Sequence, residues 1–221
     1  MGIRGDVTVQ MDDCLGRLRA ALAEHGYEDC LFIFSSDNGP VINDGYWDGS
    51  IRDCAGHNPV APMGMGHYQN GKLAGGKYGI MEGSTCVPFI VCRPGYVPAK
   101  EVTHALVSQI DLARSLAVLA GVEVPADALP DSRNELPALI GQNRQGAPYI
   151  IEQGHGHVLA IRQGAFKYYC RGKQEHLYDL STDPKEEHNI APHHPDVVQQ
   201  LRDLLQQVQQ QKTPDHPAPF F

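Results

Sequence analysis

Polar side chains follow an apolar run at residues 31–40, LFIFSSDNGP. Asp37 supplies a carboxylate and Asn38 a carboxamide oxygen, and both are hard ligands that suit Ca²⁺ or Mg²⁺ better than Zn²⁺. Open α/β sheets bind ligands beyond the carboxyl ends of their strands, which is where this pair would lie. Asp-Asn-Gly is also common turn chemistry, so these residues by themselves indicate either a cation site or a turn.

A glycine-rich segment, GKLAGGKYG, occupies residues 71–79. Its glycines would let backbone N–H groups approach an anion, and Lys77 adds a point charge. The segment fits G-x-x-x-x-G-K, but Tyr78 stands where a nucleotide-binding loop needs Ser or Thr, and no convincing strand leads into Gly71. A nucleotide site is therefore disfavoured, which leaves an anion-binding loop or a flexible loop with a solvated lysine.

Several histidines lie in or near predicted loops, where imidazoles serve as acids, bases or substrate contacts. They are His57, His67, His104, His155 and His157. The H-G-H at 155–157 would place two imidazoles on one face of a strand, but no third metal ligand accompanies them. The sequence has no G-x-S-x-G, and its six cysteines show no C-x-x-C or zinc-ligand spacing, which predicts free thiols.

Elements that would position these groups alternate along the first part of the chain. Helical periodicity predicts a helix over about 7–25, and CLFIF (30–34) and VPFIVC (87–92) read as buried strands. A further helix begins near Asp111 and ends at Gly121. This alternation predicts an α/β fold with a mainly parallel sheet flanked by helices.

The character of the sequence changes after Gly121. Residues 123–142 are rich in proline and polar residues, which predicts a linking segment with at most a short helical turn. Four closely spaced strand candidates then predict a small antiparallel sheet, and a helix over about 195–212 carries one broad apolar face. We predict two domains, 1–140 and 141–221.

Charge and hydropathy exclude some partners. The formal net charge is −8, from 26 acidic and 18 basic residues, and no Lys/Arg block is present, so nucleic-acid binding is disfavoured. The sequence also predicts no membrane span, and its first residues, MGIRGDVTVQ, do not have the pattern of a signal peptide.

Taken together, several segments in this order resemble the C-terminal half of a formylglycine-dependent type I sulfatase of the alkaline-phosphatase-like superfamily, particularly bacterial enzymes that act on sulfated glycans. The segments are DNGP, DGY, GHNP, GGKYGIMEGSTCVPFIVCRPG, LVSQIDLARSLAVLAG, PDSRNELPALIG and HLYDLSTDPKEEHNIA. Relatives of this family are often periplasmic or secreted.

The resemblance implies roles for particular residues. Asp37 and Asn38 would ligate an active-site Ca²⁺, with Mg²⁺ as the alternative, and Lys77 would contact the sulfate of a sulfated carbohydrate or aryl sulfate. The family pattern carries an arginine where this chain has Ala74, and MGMGHYQN is inserted before the loop. Further substrate contacts are predicted at Lys72, His57, His67 and His155.

One family feature has no counterpart in the sequence. The formylglycine nucleophile arises within C-x-P/A-x-R, and a partial match, Cys92-Arg93-Pro94, has Tyr96 in place of the arginine. We therefore expect the formylglycine in an N-terminal half, no turnover by this chain alone, and association with that half or with a second copy.

The sequence leaves two alternative functions open. One is a noncatalytic protein that keeps the fold to bind carbohydrate or a protein partner. The other is a phosphoester or phosphonate hydrolase of the same superfamily.

Overall fold

The computed structural model describes residues 2–41, 70–125 and 127–210; His57 and His67 lie outside these ranges. The helices are α1 (Gly2–Glu24), α2 (Glu82–Thr85), α3 (Leu112–Leu119), α4 (Leu136–Leu139) and α5 (Pro195–Gln210). The strands are β1 (Phe32–Ser35), β2 (Phe89–Cys92), β3 (Ile150–Gln153), β4 (Leu159–Gln163), β5 (Phe166–Arg171) and β6 (Gln174–Asp179). None of the helices in these ranges is both long and apolar enough to cross a bilayer.

The chain divides into two compact units that interleave along the sequence. The first unit comprises Met1–Lys100, Gly154–Gly156 and Thr182–Glu187, and the second comprises Glu101–Gln153, His157–Ser181 and His188–Phe221. The domain division at residue 140 stays a prediction.

A mixed α/β fold is confirmed, but the strands of the first unit do not pair in parallel as expected. β1 and β2 pair antiparallel, with Phe32 opposite Cys92 and Ser35 opposite Phe89. A buried apolar run predicts a strand without giving its direction relative to the strand beside it. β2 is also less buried than predicted, since Ile90 is 59% exposed.

Helix α1 begins earlier than the periodicity predicts. The helix starts at Gly2, whereas the predicted start is about residue 7. Three apolar side chains along it, those of Val7, Val9 and Leu18, are more than half exposed. Within the described residues, this helix therefore has an apolar surface that the chain does not bury.

The second unit contains the predicted antiparallel sheet and packed helix. Its four strands lie in the order β3-β4-β5-β6, each antiparallel to the next. One face packs against α5 through a cluster of buried side chains: Ile161, Tyr168, Leu177, Ala191, Val198, Leu201 and Leu205. The apolar face of α5 that the sequence predicted is therefore the face that packs against the sheet.

A buried ion pair lies on the opposite face of this sheet. Lys167 Nζ on β5 is 2.7 Å from Glu152 Oε2 on β3, and the two side chains are 0% and 5% exposed. Ala160 on the intervening strand is paired with Glu152, and its small side chain leaves room for the two charged groups to meet. No periodic pattern in the sequence predicts this pair.

The ion pair gives a test of the sheet. Lys167→Met should lower the free energy of unfolding by about 3–5 kcal/mol, because it leaves a buried carboxylate without its lysine. Urea unfolding followed by circular dichroism measures the change. The double variant Lys167→Met/Glu152→Leu should regain most of the loss, and a single variant with the wild-type midpoint would contradict the assignment.

Candidate functional site

The loop at the end of β1 holds its own polar side chains in place. Asp37 Oδ1 accepts the N–H of Asn38 at 3.0 Å, and the Asn38 amide nitrogen donates to the Gly39 carbonyl at 2.9 Å. Ser36 Oγ donates to the Asn38 carbonyl at 3.0 Å. These contacts accompany a bend at Asp37 and Asn38. Among the described residues, they engage one Asp37 oxygen and the nitrogen end of the Asn38 amide.

The oxygens left over are the ones that a hard cation would use. Among the described residues, no hydrogen bond to Asp37 Oδ2 or Asn38 Oδ1 is found, and Asp37 is exposed. A carboxylate oxygen and a carboxamide oxygen fit the ligand chemistry of Ca²⁺ or Mg²⁺. Ca²⁺ takes about six to eight oxygen ligands, so these two residues would supply part of a coordination shell.

Gly39 brings this loop against α2. Its N–H donates to the Ser84 carbonyl at 2.8 Å. A Cβ added at Gly39 would lie 1.9 Å from the Gly83 carbonyl oxygen, which is far inside van der Waals contact. Only glycine permits this approach, so the third residue of Asp-Asn-Gly has a packing role, whereas its φ is not positive.

The glycine-rich loop lies directly beside the β1 loop. The Lys77 N–H donates to the Pro40 carbonyl at 2.9 Å, which places the lysine backbone next to the residues that follow Asn38. The loop closes its own turn through the Gly79 N–H and the Gly76 carbonyl, 3.0 Å apart. The structure thus brings together two segments that are about forty residues apart in the sequence.

Three residues that sequence reasoning missed support this pair of loops. Asn70 donates its amide to the Gly83 carbonyl at 3.1 Å, and the Gly83 N–H donates to the Ala74 carbonyl at 2.6 Å. Ser84 Oγ is buried, with no hydrogen-bond partner among the described residues, and a Cβ at Gly79 would meet it at 2.5 Å. The third residue is Glu186, whose carboxylate contacts the first residue of α2.

The buried carboxylate of Glu186 holds the start of α2. Its Oε2 accepts the Glu82 N–H at 2.6 Å, across 104 residues of sequence. Glu186 is 4% exposed and has a left-handed φ of 54°, and its own N–H donates to the Asp183 carbonyl at 3.1 Å. The only sequence signal for this role is its place in the STDPKEEHN segment of the family resemblance.

Among the other predicted site residues, His155 reaches the loop. Its N–H donates to the Tyr78 carbonyl at 2.9 Å, and the two rings meet edge to face with centroids 6.4 Å apart. His155–His157 form a 3-10 turn rather than the expected strand, because Gly156 and His157 have positive φ. Lys72 is exposed in the turn from Asn70 to Leu73, and it makes none of the contacts described above.

Tyr78 has an unusual backbone for a residue with a large side chain. It is the third residue of the Gly76–Gly79 turn and has a φ of +73°. Glycine or asparagine normally takes this position, and a left-handed non-glycine residue costs about 1–3 kcal/mol. The ring is 68% exposed, and Lys77 Nζ lies 5.4 Å from its centroid.

The two loops carry the kinds of groups that an oxyanion site would use. The Lys77 backbone lies next to the β1 loop. If the Lys77 ammonium also reached a divalent cation held by Asp37 and Asn38, both charges would act on the same anionic group. Such charges would offset the negative charge of a sulfate or phosphate ester and of its leaving oxygen.

Comparisons with known proteins give the same family. A family model described as Sulfatase matches residues 4–122, and one described as N-sulphoglucosamine sulphohydrolase, C-terminal, matches residues 76–211. An N-acetylgalactosamine-6-O-sulfatase of Bacteroides thetaiotaomicron is 41% identical over 94% of this chain, and human arylsulfatase A is 30% identical over 90% of it. The chain spans 42% of the length of each of these two relatives.

Solved structures agree with these sequence matches. A Bacteroides thetaiotaomicron structure described as 6S-sulf, from a locus for metabolism of multiple glycosaminoglycans, superposes with a TM-score of 0.80 at 38% identity. The match covers 94% of this chain and 44% of that one. The resemblance inferred from the sequence motifs, including its restriction to part of the family fold, is thereby confirmed.

The approach of Gly39 to α2 can be tested with two matched substitutions. Gly39→Ala should destabilise the first unit by about 2–3 kcal/mol, because the added Cβ would overlap the Gly83 carbonyl. Gly16→Ala, in the middle of α1, has open space around its Cβ and should stabilise the helix by about 1 kcal/mol. Thermal unfolding of both variants measures the difference, and equal effects would contradict the packing role of Gly39.

Proposed function

The chain belongs to the sulfatase family, and we propose that it is the C-terminal portion of an enzyme that hydrolyses sulfate esters of glycans. The observation that carries this proposal is the hydrogen bond from the Lys77 N–H to the Pro40 carbonyl, which joins the backbone of the glycine-rich loop to the loop that contains Asp37 and Asn38. The 41% identity to an N-acetylgalactosamine-6-O-sulfatase makes a 6-sulfated amino sugar the first substrate to try.

Each residue of the candidate site has a distinct task in this proposal. Asp37 and Asn38 would hold Ca²⁺, or Mg²⁺ as the alternative, through the oxygens that their turn leaves available. A bound divalent cation supplies positive charge beside the sulfate. The Lys77 ammonium donates to a sulfate oxygen and offsets the charge that develops as the S–O bond breaks. His155, at the edge of the loop, contacts the sugar, and the same role is proposed for His57, His67 and Lys72.

The nucleophile would come from elsewhere. None of the six cysteines lies in C-x-P/A-x-R, so the formylglycine is assigned to an N-terminal half of the fold. We expect turnover only when this half is supplied, on the same chain or on another. The exposed apolar residues Leu18 on α1 and Ile90 on β2 support such an association, because they are 51% and 59% exposed. A second copy of this chain is the other candidate for covering them.

A second candidate is a noncatalytic carbohydrate-binding protein with a sulfatase-like fold. The two candidates differ in one measurement. If the chain is joined to a candidate N-terminal half with C-x-P/A-x-R, the enzyme candidate predicts release of sulfate from a sulfated sugar, whereas the binding candidate predicts affinity without release. Phosphate monoesters in the same assay test the phosphoester and phosphonate alternative.

The cation site has its own test in the completed domain. Asp37→Ala and Asn38→Ala should each lower calcium affinity at least tenfold, because each removes an oxygen ligand. Isothermal titration calorimetry measures the affinity. Asp12→Ala, an exposed carboxylate on α1, serves as the control and should leave it unchanged. Unaltered calcium binding in both site variants would show that Asp37 and Asn38 only close the turn.

The lysine is tested by its effect on the chemical step. Lys77→Ala in the completed domain should lower kcat/KM for a sulfated sugar by about 10²–10³-fold, the usual loss when one transition-state donor is removed. Lys173→Ala, which changes an exposed lysine in the turn between β5 and β6, should retain full activity. Steady-state assays of sulfate release compare them, and equal rates would remove Lys77 from the site.

A further inference from the structure

Tyr78 has a backbone conformation that its own packing does not explain. In this chain, left-handed turn positions are filled mainly by glycine, as at Gly164 and Gly172 between the strands of the second unit. Tyr78 takes the same conformation with a ring that is 68% exposed, so burial of the ring cannot offset the backbone strain. An aromatic side chain at this position therefore calls for a role outside the folding of the chain.

The surroundings of Tyr78 hold its backbone and leave its ring presented to solvent. The Gly76–Gly79 turn closes around it, and its carbonyl accepts the His155 N–H at 2.9 Å. The ring lies 5.4 Å from Lys77 Nζ and meets the His155 ring edge to face. An exposed aromatic ring is thus fixed beside the ammonium group that is proposed to bind sulfate.

We propose that Tyr78 is a specificity-determining residue whose ring stacks on the sugar that carries the sulfate. This inference rests on the proposed function and adds the part of the substrate that the cation and lysine do not recognise. A sulfate ester separates its sulfur from the sugar ring by only a few covalent bonds, so a sulfate at Lys77 brings its sugar within reach of the adjacent ring. The apolar C–H face of a pyranose packs favourably on an aromatic face, and the His155 ring borders the same place.

Stacking makes a prediction that a purely structural role for Tyr78 does not make. If the ring only steadied Lys77 through its cation–π contact, its removal would weaken every anion equally. If it stacks on sugar, its removal would weaken the sugar sulfate and leave inorganic sulfate unchanged. The ratio of the two affinities therefore separates the two roles.

The experiment measures the dissociation constants of inorganic sulfate and of N-acetylgalactosamine 6-sulfate by NMR titration of the full chain. Tyr78→Gly removes the ring and relieves the left-handed strain, so this variant should fold at least as stably as the wild type. Tyr78→Phe keeps the ring. Tyr27→Gly, at an exposed turn after α1, is the matched control, since that tyrosine is 61% exposed.

We expect Tyr78→Gly to weaken the sugar sulfate by about three- to tenfold and to leave inorganic sulfate unchanged, while Tyr78→Phe and Tyr27→Gly match the wild type. Sulfate binding with an unaltered preference for the sugar in Tyr78→Gly would overturn the stacking role and leave the proposed function standing. Equal weakening of both ligands would also overturn it, in favour of support for Lys77. Failure of the wild type to bind inorganic sulfate would count against the proposed anion site, and the role of Tyr78 would fall with it.

Discussion

The candidate site depends on how closely the backbone at Gly39 approaches the backbone at Gly83 and Ser84. That approach leaves no space for a Cβ, and the hydrogen bond from the Gly39 N–H to the Ser84 carbonyl fixes its distance. Once the β1 loop is held there, the Pro40 carbonyl is available to the Lys77 N–H. A single close contact between backbones therefore helps to hold the loop of Asp37 and Asn38 next to the loop of Lys77.

The support for this contact comes from distant parts of the chain. The Asn70 side-chain amide donates a hydrogen bond to the Gly83 carbonyl, and the buried Glu186 carboxylate accepts one from the Glu82 N–H. Backbone N–H groups at the start of a helix have no partner within the helix, so a buried carboxylate is a strong acceptor for one of them. The short α2 is thus stabilised mainly by side chains from elsewhere, as expected for a helix of four residues.

The electrostatics of the site are local and do not follow from the charge of the whole chain. The protein is acidic, with a formal net charge of −8, and yet the proposed ligand is an anion. Lys77 and a bound divalent cation would meet the sulfate at short range, where their field outweighs that of distant, solvent-screened carboxylates. The family match supports this reading, and the chain's 42% share of its relatives' length explains why the nucleophile is assigned to another part of the fold.

The sequence alone determined the kinds of groups at the site and the elements that carry them, because apolar periodicity, turn residues and ligand chemistry are local properties. It predicted the four-stranded antiparallel sheet and the packing face of α5, which the structure contains, and it proposed Asp37, Asn38 and Lys77 as site residues. The tertiary structure decided the antiparallel direction of β1 and β2, the Glu186 contact, the buried pair of Lys167 and Glu152, and the left-handed backbone of Tyr78. Some of these features arise where segments far apart in the sequence meet. Others arise where tertiary contacts hold the backbone in a conformation that local preference disfavours. A local sequence pattern carries no information about either kind of contact.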